Sequence, residues 1–145
     1  MFLSFFGYLS NGRECPEPTQ NLALNTRNRQ FAIKKYLYGP PNPGRPSQWY
    51  WKKLASKIWN IPERRVSREQ LGDVQSMRCG NCVAFDISPR MEECMPGPVS
   101  HAGKLGYCWM HDFKCASLRS CATWAGGGPI DTDDVSYDWQ ARKAK

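Results

Sequence analysis

Six of the chain's seven cysteines fall between Cys79 and Cys121, in a stretch that reads CGNCVAFDISPRMEECMPGPVSHAGKLGYCWMHDFKCASLRSC. Phe85, Tyr107, Trp109 and Phe113 are interspersed with them, Trp124 follows, and both histidines, His101 and His111, lie inside. Thiolates at this density can hold a soft metal or an iron–sulfur cluster, and aromatic side chains keep water away from such a group. The stretch has few periodic apolar runs. Crosslinking through a metal centre is therefore one way for it to gain a fold.

The cysteines have to be read with their compartment. The N-terminus, MFLSFFGYL, is apolar but has no basic lead and no small-residue cleavage site. It is read as part of the mature chain, not as a signal peptide. Seven cysteines in a chain that is not secreted point to metal or cluster ligation more than to a disulfide scaffold. No apolar run is long enough to span a bilayer.

Charge is uneven. The chain carries +7 overall, yet residues 22–70 hold eleven basic and two acidic residues, a net of +9. That segment suits nucleic acid or an acidic protein surface, or is a solvated helical face. No carboxylate pair, nucleophile with a base, or phosphate loop is present, so the expectation is a non-enzymatic protein. Asp131, Asp133 and Asp134 read as a solvated acidic turn.

Taken in order, residues 1–25 read as an extended arm in which Pro16 and Pro18 oppose regular structure. Cys15 stands alone there without an assigned role. Residues 26–76 read as a basic helical segment. Its first helix is expected to be capped by Thr26, to bury Phe31, Tyr36, Leu37 and Tyr38, and to end at Gly39 before a proline-rich turn. A second helix, QWYWKKLASKIW, is capped by Ser47. Trp51, Leu54, Ala55 and Ile58 recur at helical spacing, which puts them on one buried face. Ser67 and Gln70 form a capping box, with Val66 and Leu71 as its hydrophobic staple. Residues 77–130 are a cysteine-rich domain, and residues 131–145 a polar tail anchored by Tyr137 and Trp139. The fold class expected is small, mostly irregular α+β: short helices followed by a loop-rich metal- or cluster-binding domain.

Cys79-x-x-Cys82 is the firmest local signal, because two intervening residues let both sulfurs face one centre. Arg78 and the backbone N–H groups of Gly80 and Asn81 stand ready to offset thiolate charge. A redox disulfide would want this pair at the end of a strand opening a helix, and no such pattern surrounds it. The remaining ligands can be drawn from Cys94 with Cys108, from Cys108 with Cys121, or from Cys108 with His111, the last being a zinc arrangement. Otherwise both histidines read as surface residues or as supports for the ligands. Cys94 and Cys115 also read as spare buried thiols or disulfide partners.

CGNC, Gly106-Tyr107-Cys108 and Cys121-Ala-Thr-Trp124 together resemble the high-potential iron–sulfur proteins. These hold one [4Fe-4S] cubane on four cysteines inside an aromatic shell. The family's fourth cysteine follows Gly-Tyr or Gly-Trp and has an aromatic residue three positions later. Here the lead-in sits at Cys108, where His111 replaces the trailing aromatic, and the trailing aromatic sits at Cys121. The resemblance implies a [4Fe-4S] cluster on Cys79, Cys82, Cys108 and Cys121, with Cys94 as alternate third ligand; zinc is the alternative metal. The wider run Tyr38-Gly39-Pro40-Pro41-Asn42-Pro43, CGNCVAF, GYCWM, FKC and CATW is similar to small cysteine-rich proteins of tailed bacteriophages. That likeness implies a structural or assembly component of the virion, put together in the host cytoplasm among other virion proteins. The alternatives are a soluble one-electron carrier and a zinc-stabilised interaction module.

Overall fold

A computed structural model of the chain describes residues 14–43, 47–97 and 99–144. The apolar tail at residues 1–9 and part of the proline-rich turn lie outside them. Among the described residues the chain forms six α-helices and one three-stranded antiparallel sheet, a small α+β fold.

Helix α1 (Glu17–Gln20) occupies the arm expected to be extended. Proline is accepted in a first helical turn because the N–H it lacks has no helical partner there. Helix α2 (Leu22–Tyr36) starts four residues before Thr26, because Asn21 caps it instead: its side chain accepts from the Leu24 N–H at 3.1 Å. It ends with Leu37 in the left-handed region, ahead of Gly39. Of its expected buried side, Tyr38 is buried and Tyr36 partly so, whereas Phe31 is 54% exposed.

Helix α3 (Gln48–Trp59) begins where Ser47 accepts from the Tyr50 N–H and closes on Asn60, left-handed at φ 54°. Trp51, Leu54 and Ala55 are buried as their spacing requires, and Ile58 is partly buried. Helix α4 (Arg68–Gln75) carries the full capping box between Ser67 and Gln70. Its Val74 completes a small core with α3, against which Val66 and Leu71 also pack.

The larger core surrounds the cysteines. Strand β1 (Phe85–Asp86) pairs with β2 (Leu105–Cys108), which pairs with β3 (Phe113–Ala116). The register sets Cys108 opposite both Phe85 and Phe113, and Cys115 opposite Gly106. A side chain at Gly106 would strike the Phe85 ring, so this position requires glycine. Both sheet edges are satisfied. On β3, the Lys114 N–H donates to Asn25 Oδ1 at 2.7 Å and the Ala116 N–H to the Tyr38 hydroxyl at 3.1 Å. On β1, Ile130 donates to the Phe85 carbonyl at 2.7 Å. Ala32 and Tyr38 share this core with the cysteines, so the first helix of the basic segment belongs to the cysteine half.

The tail is not a loose polar end. Helix α6 (Asp133–Lys143) lies against α5 (Pro89–Cys94). Asp86 is fully buried and accepts from the Trp109 Nε1–H at 2.8 Å, the Ser136 hydroxyl at 2.5 Å and the Ser88 N–H at 2.9 Å. Arg90 donates to Ser136 Oγ, Gln140 Oε1 and the Glu14 carbonyl. Asp133 accepts from the Arg90 N–H at the mouth of α6, where a carboxylate also suits the helix dipole. The arm is tied down by a disulfide between Cys15 and Cys94.

Candidate metal centre

One small cavity is lined by Cys79, Cys82, Cys108, Cys115 and Cys121, with Phe85, Met110 and Trp124 completing its wall. The five cysteines are buried and unpaired. All four residues favoured as cluster ligands are therefore brought to one place, although they come from three separate segments: the Cys79–Cys82 turn, the end of β2 and the loop at Cys121. Cys94 is not among them. It is bonded to Cys15, so the alternate third ligand is corrected to a disulfide partner. The scaffold reading set aside for the chain thus holds for this one pair. Cys115, read from the sequence as a spare buried thiol or disulfide partner, is a buried free thiol that also lines the cavity. The signal for it was available: in FKC, Phe113 and Cys115 alternate on one face of a strand, and both are buried.

Each thiol has its own backbone setting. Cys79 begins a 3-10 turn, Cys79–Asn81, whose close brings the Cys82 N–H to the Cys79 carbonyl at 2.9 Å. The Trp124 indole N–H spans this turn, donating to the Arg78 carbonyl at 3.0 Å and to Asn81 Oδ1 at 2.7 Å. That bond explains why an aromatic follows Cys121 at this spacing: it fastens the last cysteine loop onto the first. Cys108 ends β2, and a left-handed Asp112 closes the following turn by donating to the Cys108 carbonyl. Cys115 lies on β3, and Cys121 in the loop that returns to α2 through the Ala122 N–H and the Tyr36 carbonyl, 2.7 Å apart.

The groups expected to compensate thiolate charge are otherwise engaged. Gly80 and Asn81 donate to the carbonyls of Ser117 and Arg78. Arg78 caps α4 through the Gln75 carbonyl and lies over the Trp51 ring. Compensation comes instead from other backbone amides, directed at three of the sulfurs. Cys82 receives hydrogen bonds from the backbone of Ala84 and Ala125, Cys108 from Met110 and His111, and Cys121 from Thr123. Amides aimed at sulfur are what a buried thiolate centre needs. Even so, burial raises Cys82 and pushes Cys121 up to about 12, in the protein without metal. Cys115, wholly buried and hydrogen-bonded to Cys108 and Cys79, is raised well above the usual thiol range by burial. Its hydrogen bond is also the main cause that lowers Cys108.

The donor set fits a thiolate-bound group. A single ion needs its ligands to converge: zinc–sulfur bonds of about 2.3 Å require sulfurs about 3.8 Å apart in a tetrahedron. Among the described residues, no three His, Cys, Asp or Glu side chains converge in that way. The thiols line the wall of one small cavity, whose aromatic rings and thioether supply the apolar shell a thiolate-bound group requires.

His101 is exposed. His111 does not face the cavity: its Nε2 lies 2.6 Å from Thr123 Oγ1, and its ring stacks on Tyr36 at 4.7 Å. Burial lowers its pKa, which keeps the imidazole neutral at neutral pH. It supports the Cys121 loop, and the Cys108–His111 zinc choice finds no geometry. Compared with family models, curated proteins and solved structures, the chain matches none of them.

Proposed function

We propose that the chain is a non-enzymatic [4Fe-4S]-binding protein in which Cys79, Cys82, Cys108 and Cys121 hold the cluster and the cluster staples the fold. The observation that carries this reading is the meeting of these four thiols, from three segments, in one apolar cavity with amides directed at three of the sulfurs. Ligation would crosslink a region whose own secondary structure is one 3-10 turn, a short helix and strands of two to four residues.

The larger setting we propose is a component of a tailed-phage particle, on the strength of the sequence resemblance. The basic segment supports an interaction role. The described residues contain two ion pairs, Lys104–Glu92 and Lys143–Asp112, and neither uses a cation from residues 22–70. Among the described cations of that segment, Arg27, Lys34, Lys52, Lys57, Arg64 and Arg65 are exposed and suit an acidic protein surface or nucleic acid. No helix among the described residues is long and apolar enough to cross a membrane.

One observation favours a second reading, a one-electron carrier: Met110 and Trp124, on the cavity wall, are partly exposed, as a centre close to the surface would require. Fractionating infected cells separates the two. Co-sedimentation of the protein with particles supports the assembly role. Recovery only as free protein, with reversible reduction at an accessible potential, supports the carrier.

A further inference from the structure

Three side chains are linked in sequence, starting from the cavity wall. Cys121 Sγ lies 3.2 Å from Thr123 Oγ1, and Thr123 Oγ1 lies 2.6 Å from His111 Nε2. The imidazole is fixed from behind by its stack on Tyr36, at 4.7 Å and 27°. Tyr36 is in turn joined to the cysteine loop, its carbonyl accepting the Ala122 N–H at 2.7 Å. The last turn of α2 therefore holds the far end of the chain of atoms, and Cys121 holds the near end.

We infer that Thr123 is a positioning residue that donates its hydroxyl hydrogen bond to the sulfur of Cys121, and that His111 orients it to do so. This inference rests on Cys121 being a cluster ligand. A metal-bound sulfur carries no proton, so toward Thr123 it can only accept. The single hydroxyl proton of Thr123 then points at sulfur, and its oxygen is left to accept from His111. His111 must present Nε2–H, with its proton on the nitrogen facing Thr123. Each member fixes the direction of the next. Cys121 is the one thiol of the cavity with a side-chain hydroxyl bonded to it, in addition to its backbone donor, among the hydrogen bonds described.

Two physical effects follow. A hydrogen bond to a ligating sulfur draws electron density from the metal–sulfur bond and stabilises the more negative, reduced state. It also keeps the Cys121 loop in register with α2, which gives the helical half a part in the site.

The test uses the full-length protein isolated with its iron, with iron content measured on every sample. Thr123→Val removes the hydroxyl while keeping shape and the backbone donor. Expected are unchanged iron content, an upward shift of a terminal iron–sulfur stretch in the resonance Raman spectrum, and a more negative midpoint potential. Thr123→Ser should restore both readouts. His111→Phe keeps the stack on Tyr36, removes Nε2, and should move both in the direction of Thr123→Val. It also serves as the second variant should Thr123→Val not fold. Iron retained with neither readout moved in these variants overturns the inference and leaves the cluster reading standing. Absence of iron from the wild-type protein overturns both.

Discussion

The disulfide offers the sharpest separation of structural from site cysteines. Cys15 and Cys94 are 79 residues apart, and bonding them closes a loop spanning more than half of the chain. Loop-closure entropy for a loop of this length is about 15 cal/mol/K, or about 4.5 kcal/mol at 25 °C. That figure is an upper bound, because residual structure in the reduced, unfolded chain lowers the entropy that the crosslink removes. The double variant Cys15→Ser/Cys94→Ser should therefore lose about 2–4 kcal/mol, seen as a Tm lower by roughly 5–15 °C. The cluster absorbance should survive, since neither residue lines the cavity. Thermal unfolding followed by circular dichroism, with absorbance near ~400 nm read on the same samples, checks both parts. Loss of colour at unchanged Tm would refute the reasoning, because it would make Cys94 a ligand and the disulfide incidental.

Other outcomes test the supports of the site. Asp86→Ala leaves the Trp109 indole and the Ser136 hydroxyl without their buried acceptor, and should cost about 3 kcal/mol in denaturant unfolding. Gly106→Ala drives a methyl group into the Phe85 ring on the cavity wall, so it should lower both stability and iron retention, measured together by urea titration and iron assay. Burial raises Cys82, Cys121, Tyr38, Tyr50 and Tyr107 in the metal-free fold. Above the ordinary thiol value of 9.0 the folded state thus binds more protons than the unfolded chain, and stability must fall with pH as it rises toward about 12. Urea midpoints of metal-free protein should drop from pH 8 upward to 11. Metal-loaded protein should drop less, its ligands having already lost their protons.

What the sequence disclosed and what it hid divide along physical lines. Helix α3 was legible to the residue, because Ser47, the Trp51–Ile58 stripe and Asn60 are local signals that agree. The capping box at Ser67 was legible for the same reason. Helix α6 was not, because it is held by polar contacts: Ser136 on Asp86 and Gln140 on Arg90, across 50 residues each. Hydrophobic periodicity carries no trace of such bonds. The four favoured ligands could be drawn from spacing and resemblance, but the pairing of Cys15 with Cys94 joins two distant thiols and left no local mark. The sulfur-directed amides of Ala84, Ala125, Met110, His111 and Thr123 depend on the path of the backbone, which residue identity does not fix.

Metal analysis of the purified full-length chain tests the central claim most directly. Iron and acid-labile sulfide should each be present at roughly four per chain, with broad absorption near ~400 nm that is lost in Cys79→Ser and in Cys121→Ser and kept in Cys15→Ser. A colourless protein holding one zinc per chain, or colour that persists without Cys121, would contradict it.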